Sequence, residues 1–254
     1  MIIEERSHIG KSRTSNQDFV QFFTNQNQRL LALVCDGMGG HSAGDVASKM
    51  AAVHFGNAWE TSGIEEYRLQ EWTAEQLKTE NQRILEKSQK YSGLEGMGTT
   101  IVGALEKHDS WLVFNVGDSR AYHFSNNRLT QVTSDHSFVN ELVKRGEISQ
   151  EEAVHHPKKN VLTRSLGVDS TAEADFFEIE RNTGDIVMIC SDGLTNMVND
   201  QQIEAILNEK TGLGQKADKL LEEALEAGGS DNISFILLKQ TEEGGKENGI
   251  RGTY

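Results

Sequence analysis

Cysteine, long apolar runs and an excess of cations are all wanting in this 254-residue chain. Its two cysteines, Cys35 and Cys190, cannot build a disulfide framework. Both lie in oily, strand-like segments. Cys35 alternates away from Asp36 while Cys190 shares a face with Asp192, so inert buried thiols in a reducing cytoplasm are expected rather than a bridge. No apolar run approaches the length of a membrane span. The opening MIIEERSHIG has no basic start, apolar core or small-residue cleavage site, so no secretory leader is expected and a cytoplasmic location is. Lys and Arg number 25 against 39 Asp and Glu, a formal net charge of −14. That balance argues against a general binder of nucleic acid or acidic membranes, which neutralises phosphates with clustered cations. There is a single proline and no internal repeat.

What is present reads as one soluble globular protein with a sizeable core. Strand character marks 30–35, 99–106, 111–117, 121–124, 185–191 and 232–239, each short, apolar or β-branched and bounded by Gly, Asp or Asn. Helical periodicity marks 43–58, with a capping-box pattern in SAGD just before it, a polar stretch at 66–91, and 217–225. A helical insertion is expected near 135–155. The strands at 111–117 and 121–124, joined by DSR, read as an antiparallel hairpin, which favours an α+β layered architecture over a doubly wound parallel sheet. A domain over 1–240 is expected, with 241–254 as a flexible polar tail.

The stretch RLLALVCDGMGGHSAGDVASKM, residues 29–50, runs from strand through a glycine turn into a helix. Its glycines miss the G-x-G-x-x-G spacing and no GK[ST] follows. Asp36 beside a pyrophosphate would also repel it strongly once water is excluded. A divalent cation between the two reverses that sign. A plain structural Asp-Gly turn is the alternative on this loop alone.

Recurrence shifts the balance. Asp36 follows LLALVC, Asp118 follows LVFNVG, Asp192 follows IVMICS, and Asp231 precedes NISFILL. Antiparallel neighbours would bring all four carboxylates to one edge, where they would repel or neutralise without a cation. The donors are hard oxygens with no His or Cys at metal spacing, which suits Mn²⁺ or Mg²⁺ better than Zn²⁺. Two such ions against Asp36, Asp192 and Asp231 leave a slight positive charge, suited to a phosphate dianion. A water between two metals becomes hydroxide near neutral pH and can attack phosphorus in line.

SRTSNQD (12–18), CDGMGGHSAGDVAS (35–48), GMGTT (96–100), NVGDSRAY (115–122), CSDGL (190–194) and GGSDNIS (228–234) together resemble the ordered motifs of the 2C-type, metal-dependent serine/threonine protein phosphatases. DGMGGH and the segment KRGEISQEEAVHHPKKNVLTRSLG resemble the compact bacterial members. The match spans residues 10 to about 239. The resemblance implies an αββα sandwich of two antiparallel sheets between helix layers, with the metals at one end. It implies that Asp36 bridges two metals, that the Gly37 carbonyl touches one, and that Asp192 and Asp231 hold the other. Asp18 would hold a metal-bound water and Arg13 the substrate phosphate; an exposed, solvating arginine is the alternative for Arg13. Asp118 matches the position of a third, weaker metal. Where animal members carry a histidine two residues after the bridging aspartate, this chain has Met38. His41 either donates the proton to the leaving oxygen or simply begins the helix.

The resemblance also implies a flap at about 135–167 beside the site, in which His155 and His156 are surface residues rather than a ligand pair. Phosphorylated proteins are the expected partners, among them a cognate serine/threonine kinase, with the enzyme a monomer. A hydrolase of small phosphomonoesters and a non-catalytic phosphoprotein-binding relative are the alternatives.

Overall fold

The computed structural model describes residues 1–40 and 43–241. His41, the capping-box serine Ser42 and the expected tail from residue 242 onward lie outside the described residues.

The chain opens with β1 (Ile2–His8), β2 (Asp18–Thr24) and β3 (Leu30–Met38), then α1 (Ala43–Glu60). A 3-10 turn (Glu66–Arg68) leads into α2 (Leu69–Lys90). Four strands follow: β4 (Gly98–Thr99), β5 (Ile101–Glu106), β6 (Ser110–Val116) and β7 (Arg120–Ser125). Next come β8 (Arg128–Gln131), α3 (Phe138–Lys144) and α4 (Gln150–Val154). The chain ends with β9 (Asp175–Glu180), β10 (Ile186–Cys190), α5 (Asp192–Thr195), α6 (Asp200–Leu207), α7 (Leu213–Glu226) and β11 (Ile233–Lys239). All pairings are antiparallel. One sheet has the order β1-β11-β10-β7-β8 and the other β2-β3-β5-β6-β9, with β4 pairing the end of β3.

The period-2 alternation of strands distributes the core over three interfaces. Leu30, Ala32 and Val34 of β3 face Val187, Ile189 and Ile236 of the opposite sheet. Leu31, Leu33 and Cys35 turn the other way and pack under α1 and α2 with Phe55, Trp59 and Leu77. On the far side Met188, Cys190 and Phe235 pack against α6 and α7 through Ile203, Ala217 and Leu220. The result is the expected αββα order of layers. Both faces of the central strands are buried, so those strands read as continuous apolar runs. Cys35 and Cys190 are buried and free, on opposite outer faces of the two sheets. Among the described residues, no helix is long and apolar enough to cross a membrane.

The hairpin expected of 111–117 and 121–124 is not formed. β6 pairs with β5 and β9, whereas β7 pairs with β10 and β8, so the intervening GDS step carries the chain from one sheet to the other. Each strand offers an inner face to the space between the sheets, Val113 from β6 and Ala121 from β7. The backbone groups at the step are met from outside the ladders: Gly117 N donates to His136 Nδ1 at 3.1 Å, and Gly117 O accepts from His136 N at 2.9 Å.

The expected strand at 99–106 is divided. Thr100 leaves the ladder because its N–H and hydroxyl serve Asp36 instead. The insertion near 135–155 is present as α3 and α4, closed at its base by a bridge between Ser137 and Leu162. His155 is exposed, and His156 packs against the Phe138 ring with centroids 6.0 Å apart.

Candidate active site

Asp18 opens β2 directly across the ladder from Asp36 in β3. Asp192 is the first residue of α5, immediately beyond β10, and Asp231 sits just before β11. Asp118 occupies the step between the sheets. The antiparallel sandwich therefore delivers carboxylates from both sheets to one end, as strand-mouth positions predict.

The glycines after Asp36 and Asp192 serve close approach rather than unusual dihedrals. A Cβ on Gly37 would stand 2.1 Å from Gly44 O and 2.6 Å from Gln17 O. One on Gly193 would stand 1.9 Å from Asn232 O. Contacts that short with backbone admit no side chain, so each Asp-Gly pair lets two segments of main chain touch behind a carboxylate.

The carboxylates are held by a second set of polar groups. Asp36 N donates to Thr100 Oγ1 at 3.0 Å, and Asp36 O accepts from Thr100 N at 2.8 Å and Thr99 Oγ1 at 2.9 Å. Buried Ser191 donates from Oγ to Asp18 Oδ2 at 2.8 Å. Asn196 Nδ2 donates to Asp192 Oδ2 at 2.9 Å. Asn232 staples the N-terminal loop to β11: its Nδ2 donates to Ile9 O and Ser15 O, and its Oδ1 accepts from Gln17 N. That loop carries Arg13, whose Nη2 donates to Asp231 Oδ2 at 2.8 Å. Ser191, Asn232 and Thr100 escape sequence reasoning, because a small polar residue at the end of an oily strand looks the same whether or not it has a carboxylate to hold. Their only signal is position, one residue from an aspartate or at the start of a strand.

The electrostatics are those of a site short of positive charge. Burial raises the Asp18 carboxyl to about 7, with hydrogen bonds from Ser191 and Ser234 opposing and Asp192 and Asp231 adding repulsion. Asp36 is pushed well above the usual carboxylate range, first by burial and then by Asp18, Asp192, Asp118 and Asp231. Burial likewise lifts Asp118 to about 8, with Asp192 and Asp135 adding to it. Asp192 is raised by burial and by Asp231, with Asp36 and Asn196 opposing the rise. Carboxyls crowded in this way share protons unless a cation replaces them. Arg120 is locked onto Asp135 by Nε and Nη2 contacts of 2.7 to 3.1 Å and leaves the cluster largely uncompensated.

Among the described residues no three His, Cys, Asp or Glu side chains already close a metal cage. The donor chemistry nevertheless fits hard divalent cations. It is all oxygen, it is mutually repelling, and Asp18 Oδ1 is buried with no hydrogen-bond partner. A cleft of about 450 Å³ runs from Asp118 and Asp192 to the inserted helices, where Val139, Val143 and Val154 form its far wall.

Arg13 is half exposed and stands within electrostatic reach of Asp231, Asp36 and Asp192, which hold it protonated. A guanidinium presents paired N–H donors that match phosphate oxygens. Arg13→Ala is therefore expected to raise KM for a phosphopeptide about tenfold or more, with a smaller fall in kcat. Steady-state kinetics with KM and kcat both unchanged would return Arg13 to the solvated surface.

Sandwich and acidic end together define a class of cation-assisted phosphoester hydrolases. The protein phosphatase 2C family matches residues 5–227, and the chain belongs to that family. It is 41% identical over 242 residues to the serine/threonine phosphatase Stp of Listeria welshimeri, covering 94% of this chain and 96% of that one. The solved structure of the S. agalactiae serine/threonine phosphatase superposes with a TM-score of 0.91 at 37% identity, covering 94% of this chain and 99% of the other. The catalytic domain of the serine/threonine protein phosphatase PstP, solved in complex with two manganese ions, is 32% identical with a TM-score of 0.80, covering 95% and 98%.

Proposed function

We propose that this protein hydrolyses phosphoserine and phosphothreonine on other proteins, using two divalent cations held by Asp36, the Gly37 carbonyl, Asp192 and Asp231. As a member of the protein phosphatase 2C family it is a metal-dependent protein serine/threonine phosphatase. The observation that carries the finer reading is the meeting of Arg13 with Asp231, Asp36 and Asp192 at one end of the sandwich.

Bound Mn²⁺ or Mg²⁺ supplies Lewis acidity there and lowers the pKa of water near neutrality. The chain's own residues do the rest. Arg13, released from Asp231 once that carboxylate is neutralised, takes the phosphate oxygens. Asp18, fixed by Ser191, orients a water from the floor of the site. Asp118 would hold a third, weaker cation, which could supply a water to protonate the leaving oxygen, since Met38 has no proton to give. His41, the other proposed donor, lies outside the described residues.

The inserted segment at about 135–167 is assigned as a flap governing substrate access, in a single phosphatase domain over 1–240. A monomer in the cytoplasm, opposing a serine/threonine kinase, completes the proposal. The retained carboxylates disfavour a non-catalytic relative, and the likeness to serine/threonine phosphatases disfavours a hydrolase of small phosphomonoesters.

Phosphate release from a phosphothreonine peptide should cease in excess EDTA and return with Mn²⁺ or Mg²⁺, while mononucleotides turn over poorly. Full peptide turnover in EDTA would sink the mechanism, and preference for mononucleotides would sink the substrate class.

A further inference from the structure

A second concave site lies away from the acidic end, in a groove of about 450 Å³ between α1 and α2 on the outer helix layer. On a chain of net charge −14 its lining carries three cations, Arg83, Lys87 and Lys90, against one carboxylate, Glu86, which accepts from Gln82 Nε2 at 2.8 Å. Arg83, Lys87 and Lys90 recur at i, i+4 and i+7, so they share one face of α2 and all line the groove. His54 faces them from α1.

Two of these side chains, Arg83 and His54, are anchored from below. The Glu80 carboxylate is only 3% exposed, lies 3.0 Å from His54 Nδ1 and accepts from Arg83 Nη1 at 3.2 Å. Lys87 and Lys90 form no salt bridge among the described residues, and Lys90 Nζ lies 5.5 Å from the Tyr91 ring centroid. Cations in the last turn of a helix complement its dipole, which accounts for Lys87 and Lys90. It does not account for Arg83 a turn earlier, or for His54 on another helix. The groove also has apolar surface: the Tyr91 ring is half exposed, and buried Met50 contributes to the lining.

We propose that this groove docks an acidic peptide segment of the phosphoprotein substrate, its carboxylates read by Arg83, Lys87 and Lys90 and one apolar side chain seated on Met50 and Tyr91. The proposal rests on the phosphatase reading for the identity of the partner, but not for the binding itself. Charge complementarity selects the chemistry, because Lys87 and Lys90 form no salt bridge among the described residues on a chain of net charge −14. A side-chain-sized concavity suits a peptide better than a flat lipid surface or a nucleic-acid duplex. Geometry also sets a spacing. α1 starts against the Asp36–Gly37 loop, and Met50 and His54 lie roughly 10 to 16 Å further along its axis at 1.5 Å per residue. A docked segment therefore stands at least about five extended residues from the phosphorylated one.

The test uses the Mn²⁺-loaded full chain and a fluorescein-labelled peptide, Glu-Glu-Leu-Glu-Glu. A phosphothreonine peptide carries the same segment about six residues from the phosphate. The triple variant Arg83→Gln, Lys87→Gln, Lys90→Gln is expected to bind the labelled peptide about tenfold more weakly. KM for the acidic-tailed substrate should rise similarly, with kcat and the turnover of p-nitrophenyl phosphate unchanged. The double variant Lys87→Gln, Lys90→Gln leaves the Glu80 anchor intact and should show a smaller shift in the same direction. Equal binding by wild type and both variants overturns the proposal. So does displacement of the peptide by inorganic phosphate, which would put it at the catalytic end, or preferential capture by phosphatidylserine vesicles. Variant-sensitive peptide binding without any phosphopeptide hydrolysis would overturn the phosphatase reading and leave the groove assignment standing.

Discussion

Asp192→Ala and Asp231→Ala are each expected to slow phosphopeptide hydrolysis at least about a thousandfold, roughly 4 kcal/mol in barrier height. Each removes a proposed cation ligand and leaves buried partners of like charge behind. The two should differ in a second respect. Asp231 also accepts the Arg13 hydrogen bond and takes one from Asn232 N, so its loss frees Arg13, the proposed phosphate ligand, and loosens the loop that carries it. Asp192 accepts from Asn196 Nδ2 instead. Residual activity of Asp231→Ala should therefore show a shifted KM, and that of Asp192→Ala should not. Near-normal rates in variants that keep the wild-type circular dichroism spectrum would reduce both residues to structural turns.

Gly193→Ala should be nearly as damaging without removing any charge. Its Cβ would press to 1.9 Å from Asn232 O, and the next contacts are Asn232 C at 2.9 Å and Asp231 Cβ at 3.5 Å. Backbone cannot rotate aside as a flexible side chain can, so the segments bearing Asp192 and Asp231 must part. A loss of roughly 3 kcal/mol in stability is expected, as for severe overpacking. Activity should fall by at least about a hundredfold, since a displacement near 1 Å at the ligands is enough. Gly63→Ala is the control: its Cβ would meet nothing nearer than Gln26 Oε1 at 3.7 Å, so it should leave thermal denaturation and turnover nearly unchanged. Equal behaviour of the two variants would show that close packing behind Asp192 does not hold the site.

The parts of the fold that were legible in the sequence are those whose burial leaves a local mark. β3, β5, β6, β10 and β11 bury both faces and read as oily runs. α7 was visible in part through Ala217, Leu220 and Ala224, all buried on one face. The flanking strands left little trace. β1 is IIEERSH with half-exposed residues almost throughout, and β9 is DFFEIE. Both gain their place by pairing with strands remote in sequence, β11 and β6. The mistaken hairpin has the same cause. β6 and β7 are neighbours in sequence, but their partners are chosen by inner faces that only the assembled sandwich brings together. At the site, Asp36, Asp118, Asp192 and Asp231 were legible because aspartates recur at the mouths of oily strands, and Asp18 only through the family resemblance. Ser191 and Asn232 were not, because their meaning lies in hydrogen bonds to Asp18 and to the Arg13 loop.

The central claim is that the acidic end is completed by two divalent cations. Its carboxyls hold protons that a cation must displace, since Asp18 stands at about 7, Asp118 at about 8, and Asp36 is higher than an ordinary carboxylate. Raised folded-state values mean that protons leave on binding, so apparent affinity should climb as pH rises through about 7 to 8. Calorimetric titration of Mn²⁺ into chelator-treated protein, in two buffers of different ionisation enthalpy, measures ion number and proton release together. Two tight ions with net proton release near neutral pH, and loss of at least one tight ion in Asp192→Ala, is the predicted result. Absence of tight binding, or binding that releases no protons and is indifferent to Asp192→Ala, would contradict it.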